Sequence, residues 1–112
     1  MLPKKNRLTQ KKDFDSVFKN GKTIKSDFLI FKFLKNRFNE NRFGFIVSKK
    51  VSNKATKRNL IKRRLRKVVA DNLKDLKDNK SLDVVVITLP GILNKDFSEM
   101  QKTVSSFFKK IK

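Results

Sequence analysis

The sequence predicts an α+β fold, a two-layer α-β sandwich with its elements in the order αβββαβα. Three observations predict it. Apolar residues recur at three- and four-residue intervals in three segments, near 11–20, 56–77 and 96–111. Between them lie apolar runs of strand length at 27–35, 42–48 and 82–89, with a further short strand near Thr23. Helices alternating with an apolar sheet bury their stripes by packing as layers. At 112 residues the chain is read as one domain, 1–112, with the basic residues 1–8 expected to be loose.

The elements follow in order. Phe14, Val17 and Phe18 share one side of a helix over 11–20, and Asn20-Gly21 stops it, with Gly21 suited to a left-handed residue. In the first long strand Phe28 and Ile30 point one way, and Leu29, Phe31 and Phe33 the other. The polar segment 36–41 reads as a hairpin loop, returning through 42–48, where Gly44 marks a bulge or a close backbone approach. After a turn at 51–54, Ile61, Leu65, Val68, Val69, Asn72 and Leu76 form one side of a long helix over about 56–77. Turn residues 78–81 lead into Val84, Val85, Val86 and Ile87, the strongest strand signal and a central strand by composition. Pro90-Gly91 ends that strand. Asp96 and Glu99 are spaced as a capping box, followed by a stripe of Phe97, Met100, Val104, Phe107, Phe108 and Ile111.

The totals exclude much. There is no Cys and no His, so no disulfide, thiolate zinc site or nucleophile–base pair can be built. The closest carboxylate pair outside the helix ends, Asp13 and Asp15, does not share a helix face. No catalytic residue and no metal ligand is therefore assigned to this chain. No apolar run reaches membrane-spanning length, and no signal-peptide core is present, so a cytoplasmic location is expected. Thirty Lys and Arg against ten Asp and Glu give a formal charge of +20, which attracts polyanions.

That charge is concentrated. Ten basic residues lie between Lys49 and Lys67 with no acid among them, threaded with Leu60, Ile61, Leu65, Val68 and Val69. Asn59, Lys62, Arg63 and Arg66 span an arc of roughly 100° at helical geometry, turned away from the apolar side, and Arg58 lies at the first turn near the core edge. Arg forks and Lys point charges suit phosphates, and Asn suits a base edge or a 2′-hydroxyl. The plainer alternative is a solvated basic face, although such faces normally mix signs. Eight of the eleven Phe fall between Phe14 and Phe45. Core packing accounts for most of them; the alternative is a platform on which single-stranded bases stack, formed by Leu29, Phe31 and Phe33 with Phe14 and Phe18 at its margin.

The central stretch resembles the signature of the bacterial ribonuclease P protein subunit. The resemblance rests on Val47-Ser-Lys-Lys50, Asn53-Lys-Ala55 and Arg58-Asn59-x-x-Lys62-Arg63-x-x-Arg66. It extends to Arg7-Leu8 and to Asp13-Phe14-x-x-Val17-Phe18-x-x-Gly21. One departure is Leu60, which stands where the family's basic triplet has a second Arg, so that contact is lost or supplied by Arg64. The resemblance implies a single RNA-binding domain with a left-handed βαβ crossover at the long helix. It implies assistance to a catalytic RNA that removes the 5′ leader of precursor tRNA, the chemistry and most of the Mg²⁺ belonging to the RNA. By the same resemblance Phe14, Phe18, Leu29 and Phe31 line a leader cleft. Arg58, Asn59, Lys62, Arg63 and Arg66, with Lys49 and Lys50, contact RNA. No membrane and no small-molecule substrate are implied.

Two other classes remain beside this one: a ribosomal-protein-like RNA-binding module with no catalytic partner, and a basic protein of membrane surfaces or nonspecific DNA. The spacing of Arg58 to Arg66 together with the Phe14/Phe18 helix favours the ribonucleoprotein reading over the second class. The capped apolar helices and the 84–87 strand weaken the third.

Overall fold

Val84, Val85 and Val86 are all at most 1% exposed, which requires cover on both faces of their strand and a strand on each side. The computed structural model, which describes residues 2–73 and 81–111, meets that requirement. Its sheet has the order β1-β2-β4-β3, with β1 Lys22–Lys25, β2 Leu29–Lys35, β3 Arg42–Ile46 and β4 Leu82–Thr88. β1 and β4 are each antiparallel to β2, whereas β3 and β4 run parallel. Parallel neighbours need a crossover, and α2 (Ala55–Asn72) provides it. α1 (Lys11–Asn20) precedes the sheet and α3 (Phe97–Lys110) closes the chain. The α-β sandwich and its αβββαβα order are as the periodicities predict.

The expected hairpin between β2 and β3 does not form, because β4 is inserted between them. Residue 36 instead donates its backbone N–H to the carbonyl of Ser81, tying the end of β2 to the start of β4. The end of the predicted long helix, including Leu76, and most of the 78–81 turn lie outside the described residues.

The principal core lies between the sheet and the layer of α2 and α3. Ile61, Leu65, Val68 and Val69 meet Met100, Val104, Phe107 and Phe108 over Phe31, Phe43, Val84 and Val86. Phe107 stacks on Phe31 with ring centroids 4.1 Å apart and planes 5° from parallel, while Phe33 meets Phe107 edge-on at 5.6 Å. α3 begins as its spacing predicts: the Asp96 carboxylate accepts the Glu99 N–H at 2.9 Å.

Two local expectations are corrected. Residues 2–8 are not loose. Leu2 and Leu8 are buried, Leu8 donates its N–H to the Phe43 carbonyl, and Asn6 Nδ2 donates to the Asn41 carbonyl at 2.7 Å. Two apolar anchors outweigh the local charge. Gly21 is not left-handed, since its φ is −79°. Glycine is suited there by crowding: a Cβ would lie 2.4 Å from the Val17 carbonyl oxygen and 2.9 Å from that of Phe33.

Candidate nucleic-acid interface

α2 carries the basic face. Its apolar side is buried, leaving Asn59 and Arg63 exposed and Lys62 and Arg66 half-buried. Among the described residues no acid pairs with Lys62, Arg63 or Arg66. Arg58 is half-buried, and one fork nitrogen donates to the Ser52 carbonyl at 2.9 Å. It therefore clamps the preceding turn to the first turn of α2 while the rest of its guanidinium stays at the helix entrance. Lys49 and Lys50 are exposed in that turn. Leu60 lies on the other flank of the helix, outside the arc.

α1 packs across the opposite face of the sheet. Val17 is fully buried against Val85 and Leu8, and Phe14 joins them with Leu34, Ile46 and Ile87. Phe14 reaches over Gly44, where a Cβ would lie 2.3 Å from the ring's Cζ. The close approach expected at Gly44 is this one, and it seats α1 on the sheet. Phe18, one residue beyond Val17, is 42% exposed.

The sheet face beside α1 is not the one that contains Leu29 and Phe31. Those two are 0% and 1% exposed, beneath α3. The platform expected from Leu29, Phe31 and Phe33 is thereby corrected, and the Phe107 ring occupies the place a base would need. By the period-2 rule the residues beside α1 are their neighbours Ile30, Lys32 and Leu34. Cross-strand partners confirm the face: Ile30 pairs with Ile87, Lys32 with Val85, and Gly44 with Val85. Ile30, Lys32, Ile46 and Ile87 are half-buried, because ten residues of α1 do not cover four strands. Lys32 Nζ donates to Thr23 Oγ1 at 3.1 Å, which holds a cation at the edge of this apolar floor. Phe14 and Phe18 thus border a partly open trough whose floor is Ile30, Lys32, Ile46 and Ile87. Sequence reasoning missed this floor, although a signal was present: Lys32 interrupts the apolar residues of that face of β2, whereas Leu29, Phe31 and Phe33 follow one another on the other face with no charge between them.

One polar cluster fixes α1 over the trough. Asp83, 6% exposed, accepts Arg42 Nε at 2.8 Å, Arg42 Nη2 at 2.7 Å and Asn36 Nδ2 at 2.7 Å. Arg42 Nη2 also lies 3.5 Å from Asp13 Oδ2 in the first turn of α1. The hydrogen bond to Asp83 raises the Arg42 guanidinium above its ordinary value, against the opposing pull of burial, with further help from the charges of Asp83 and Asp13. Asp13 is thus engaged with a guanidinium, and among the described residues no cluster of acids could hold a metal ion. Among them, too, no helix is long and apolar enough to cross a membrane.

Known proteins share this fold. A family model described as Ribonuclease P matches residues 2–112. A ribonuclease P protein component of Syntrophomonas wolfei is 36% identical over 98% of this chain and 90% of its own length. One from Clostridium botulinum is 34% identical over 96% and 95%. The solved RNase P protein of Thermotoga maritima superposes with a TM-score of 0.84 at 30% identity, covering 95% of this chain and 97% of that one. The Staphylococcus aureus RNase P protein, at 23% identity and a TM-score of 0.83 over 96% and 95%, shares the fold. With its basic helix, seated α1 and full-length match, the chain belongs to the ribonuclease P protein family, the protein side of a tRNA-processing ribonuclease.

Proposed function

We propose that this chain binds the catalytic RNA of ribonuclease P through α2 and holds the 5′ leader of precursor tRNA in the trough between α1 and the sheet. Removal of that leader then gives the mature 5′ end. The observation that carries the reading is the pairing of two surfaces on one small domain: an acid-free row of Asn59, Lys62, Arg63 and Arg66, and an apolar trough bordered by an exposed Phe18. Lys49, Lys50 and the free part of Arg58 extend the row towards the start of α2. Mg²⁺ would be held by the RNA and would supply its phosphodiester chemistry. Among the described residues the carboxylates form no cluster that could hold a metal ion, and the side chains of this chain bind and orient. A single-stranded leader fits the trough because stacking and apolar contact need no particular sequence.

Replacing Phe18 by Ala is expected to lower the affinity of the reconstituted complex for precursor carrying a leader by about fivefold or more, as for one lost stacking contact. Affinity for mature tRNA should not move, and the unfolding midpoint should fall by only a few degrees, because Phe18 is 42% exposed and stands outside the buried core. Equal loss for both RNAs would remove Phe18 from leader binding. Replacing Lys62 and Arg66 together by Ala should weaken binding of the ribonuclease P RNA about tenfold and flatten the dependence of log K on log salt. The slope should change by about 0.7–0.9 per lost phosphate contact. An unchanged slope would mean that these cations do not touch phosphates.

A further inference from the structure

α2 exposes two flanks, and a feature that reaches across its crest onto the second is not explained by the row on the first. At about 100° per residue, Asn59, Lys62 and Arg66 lie to one side and Arg64 and Lys67 to the other, with Arg63 near the crest. Where α2 meets the start of α3, an open depression of about 560 Å³ is lined by Arg63, Arg64, Arg66, Lys67 and Phe97. Phe97 is the first residue of α3 and is 36% exposed, unlike Phe107 and Phe108 further along the same helix, which are buried. The walls of the depression are mostly carbon, formed by the ring and by Arg and Lys stems. Among the described residues no acid pairs with Arg63, Arg64 or Arg66, and Lys67 has a 3.7 Å contact to an exposed Asp71.

A carbon-walled hollow with an aromatic ring in it and cations around it is suited to a flat, apolar-faced group that carries negative charge beside it. A nucleotide has that form: the base lies on the ring, and guanidinium forks take the flanking phosphates. We infer that Phe97, with Arg63, Arg64 and Lys67, forms a stacking site for an unpaired nucleotide of the RNA partner. This inference rests on the RNA-binding reading above and extends it to a second place. The site lies on the α2/α3 layer, across the sheet from α1, so a leader held in the trough does not supply the nucleotide. It comes from an unpaired position in the catalytic RNA, and the two RNAs are gripped on opposite sides of the sheet.

The chain has no Trp, so Phe97→Trp places a single fluorophore at the site. Titration with a short oligoadenylate should quench its emission, and inorganic polyphosphate of equal charge should leave it unchanged. Adding Arg63→Ala and Arg64→Ala should move the quenching midpoint about tenfold higher, the scale expected for lost charge-assisted contacts. Equal responses to both polyanions, or none to either, would overturn the stacking site. As a second arm, Phe97→Leu should bind ribonuclease P RNA about fivefold or more weakly with its unfolding midpoint unchanged. Undiminished affinity would also overturn the site. If the unaltered chain fails to bind that RNA, the underlying RNA-partner reading fails. If it binds while the new indole is indifferent to oligoadenylate, only the stacking inference fails.

Discussion

Replacing Phe31 by Ala is expected to cost about 3–5 kcal/mol of folding stability. The folded fraction should keep its preference for leader-bearing precursor. Phe31 is 1% exposed and stacked on Phe107, so its removal opens a cavity between the sheet and α3 and ends an aromatic pair. For a domain of this size the loss would lower the unfolding midpoint by roughly 15 °C or more. The contrast with Phe18 is the useful part. The two side chains are alike in chemistry but lie on opposite faces of the sheet, one in the core and one at the rim of the trough. If Phe31→Ala leaves stability intact and selectively removes leader preference, then this face of β2 is the open one.

Replacing Arg42 by Ala should cost about 3 kcal/mol, because it leaves the Asp83 carboxylate buried with Asn36 as its remaining side-chain partner. Arg42→Lys should recover less than half of the loss, since an ammonium cannot reproduce the two-point fork at 2.7 and 2.8 Å. Asp83→Asn added to Arg42→Ala should recover part of it by removing the orphaned charge. The damage should also be unequal across the fold. Asp13 would lose its hold on the sheet, so amide hydrogens of α1 should exchange faster relative to those of α3. Uniform acceleration in both helices would show that the cluster stabilises the fold without positioning α1.

What the sequence made legible follows the range of the forces involved. α1, the Asp96 cap and the stripe of α3 depend on residues three or four apart, and they stand where that spacing places them. Val84, Val85 and Val86 announced a central strand because three successive apolar β-branched residues need cover on both sides. The partners of that strand were not legible. A polar 36–41 segment between two apolar runs looks like a hairpin, and only the long-range demand of β4 for two neighbours separates β2 from β3. Alternation along β2 divided its residues into two faces correctly, but it did not say which helix covers which. The Phe-rich face looked like a platform and proved to be the core. Lys32, Arg42 and Asp83 mark the other face, where a charge can reach water or a partner from α1. The docking of residues 2–8 was hidden because three basic residues, Lys4, Lys5 and Arg7, lie between Leu2 and Leu8, the anchors that bury themselves. The row from Asn59 to Arg66 was readable in full, since a helix preserves its spacing whatever it packs against.

The central claim is that this chain assists a ribonuclease P RNA by gripping it through α2 and holding the leader beside α1. The most direct measurement reconstitutes the chain with a bacterial ribonuclease P RNA at low Mg²⁺ and follows 5′ cleavage of a precursor tRNA. The expected result is that the protein stimulates cleavage, and that the stimulation is lost when Lys62 and Arg66 are replaced together and is reduced for a precursor with its leader cut short. Cleavage no faster than with the RNA alone, with the protein folded and in excess, would contradict it.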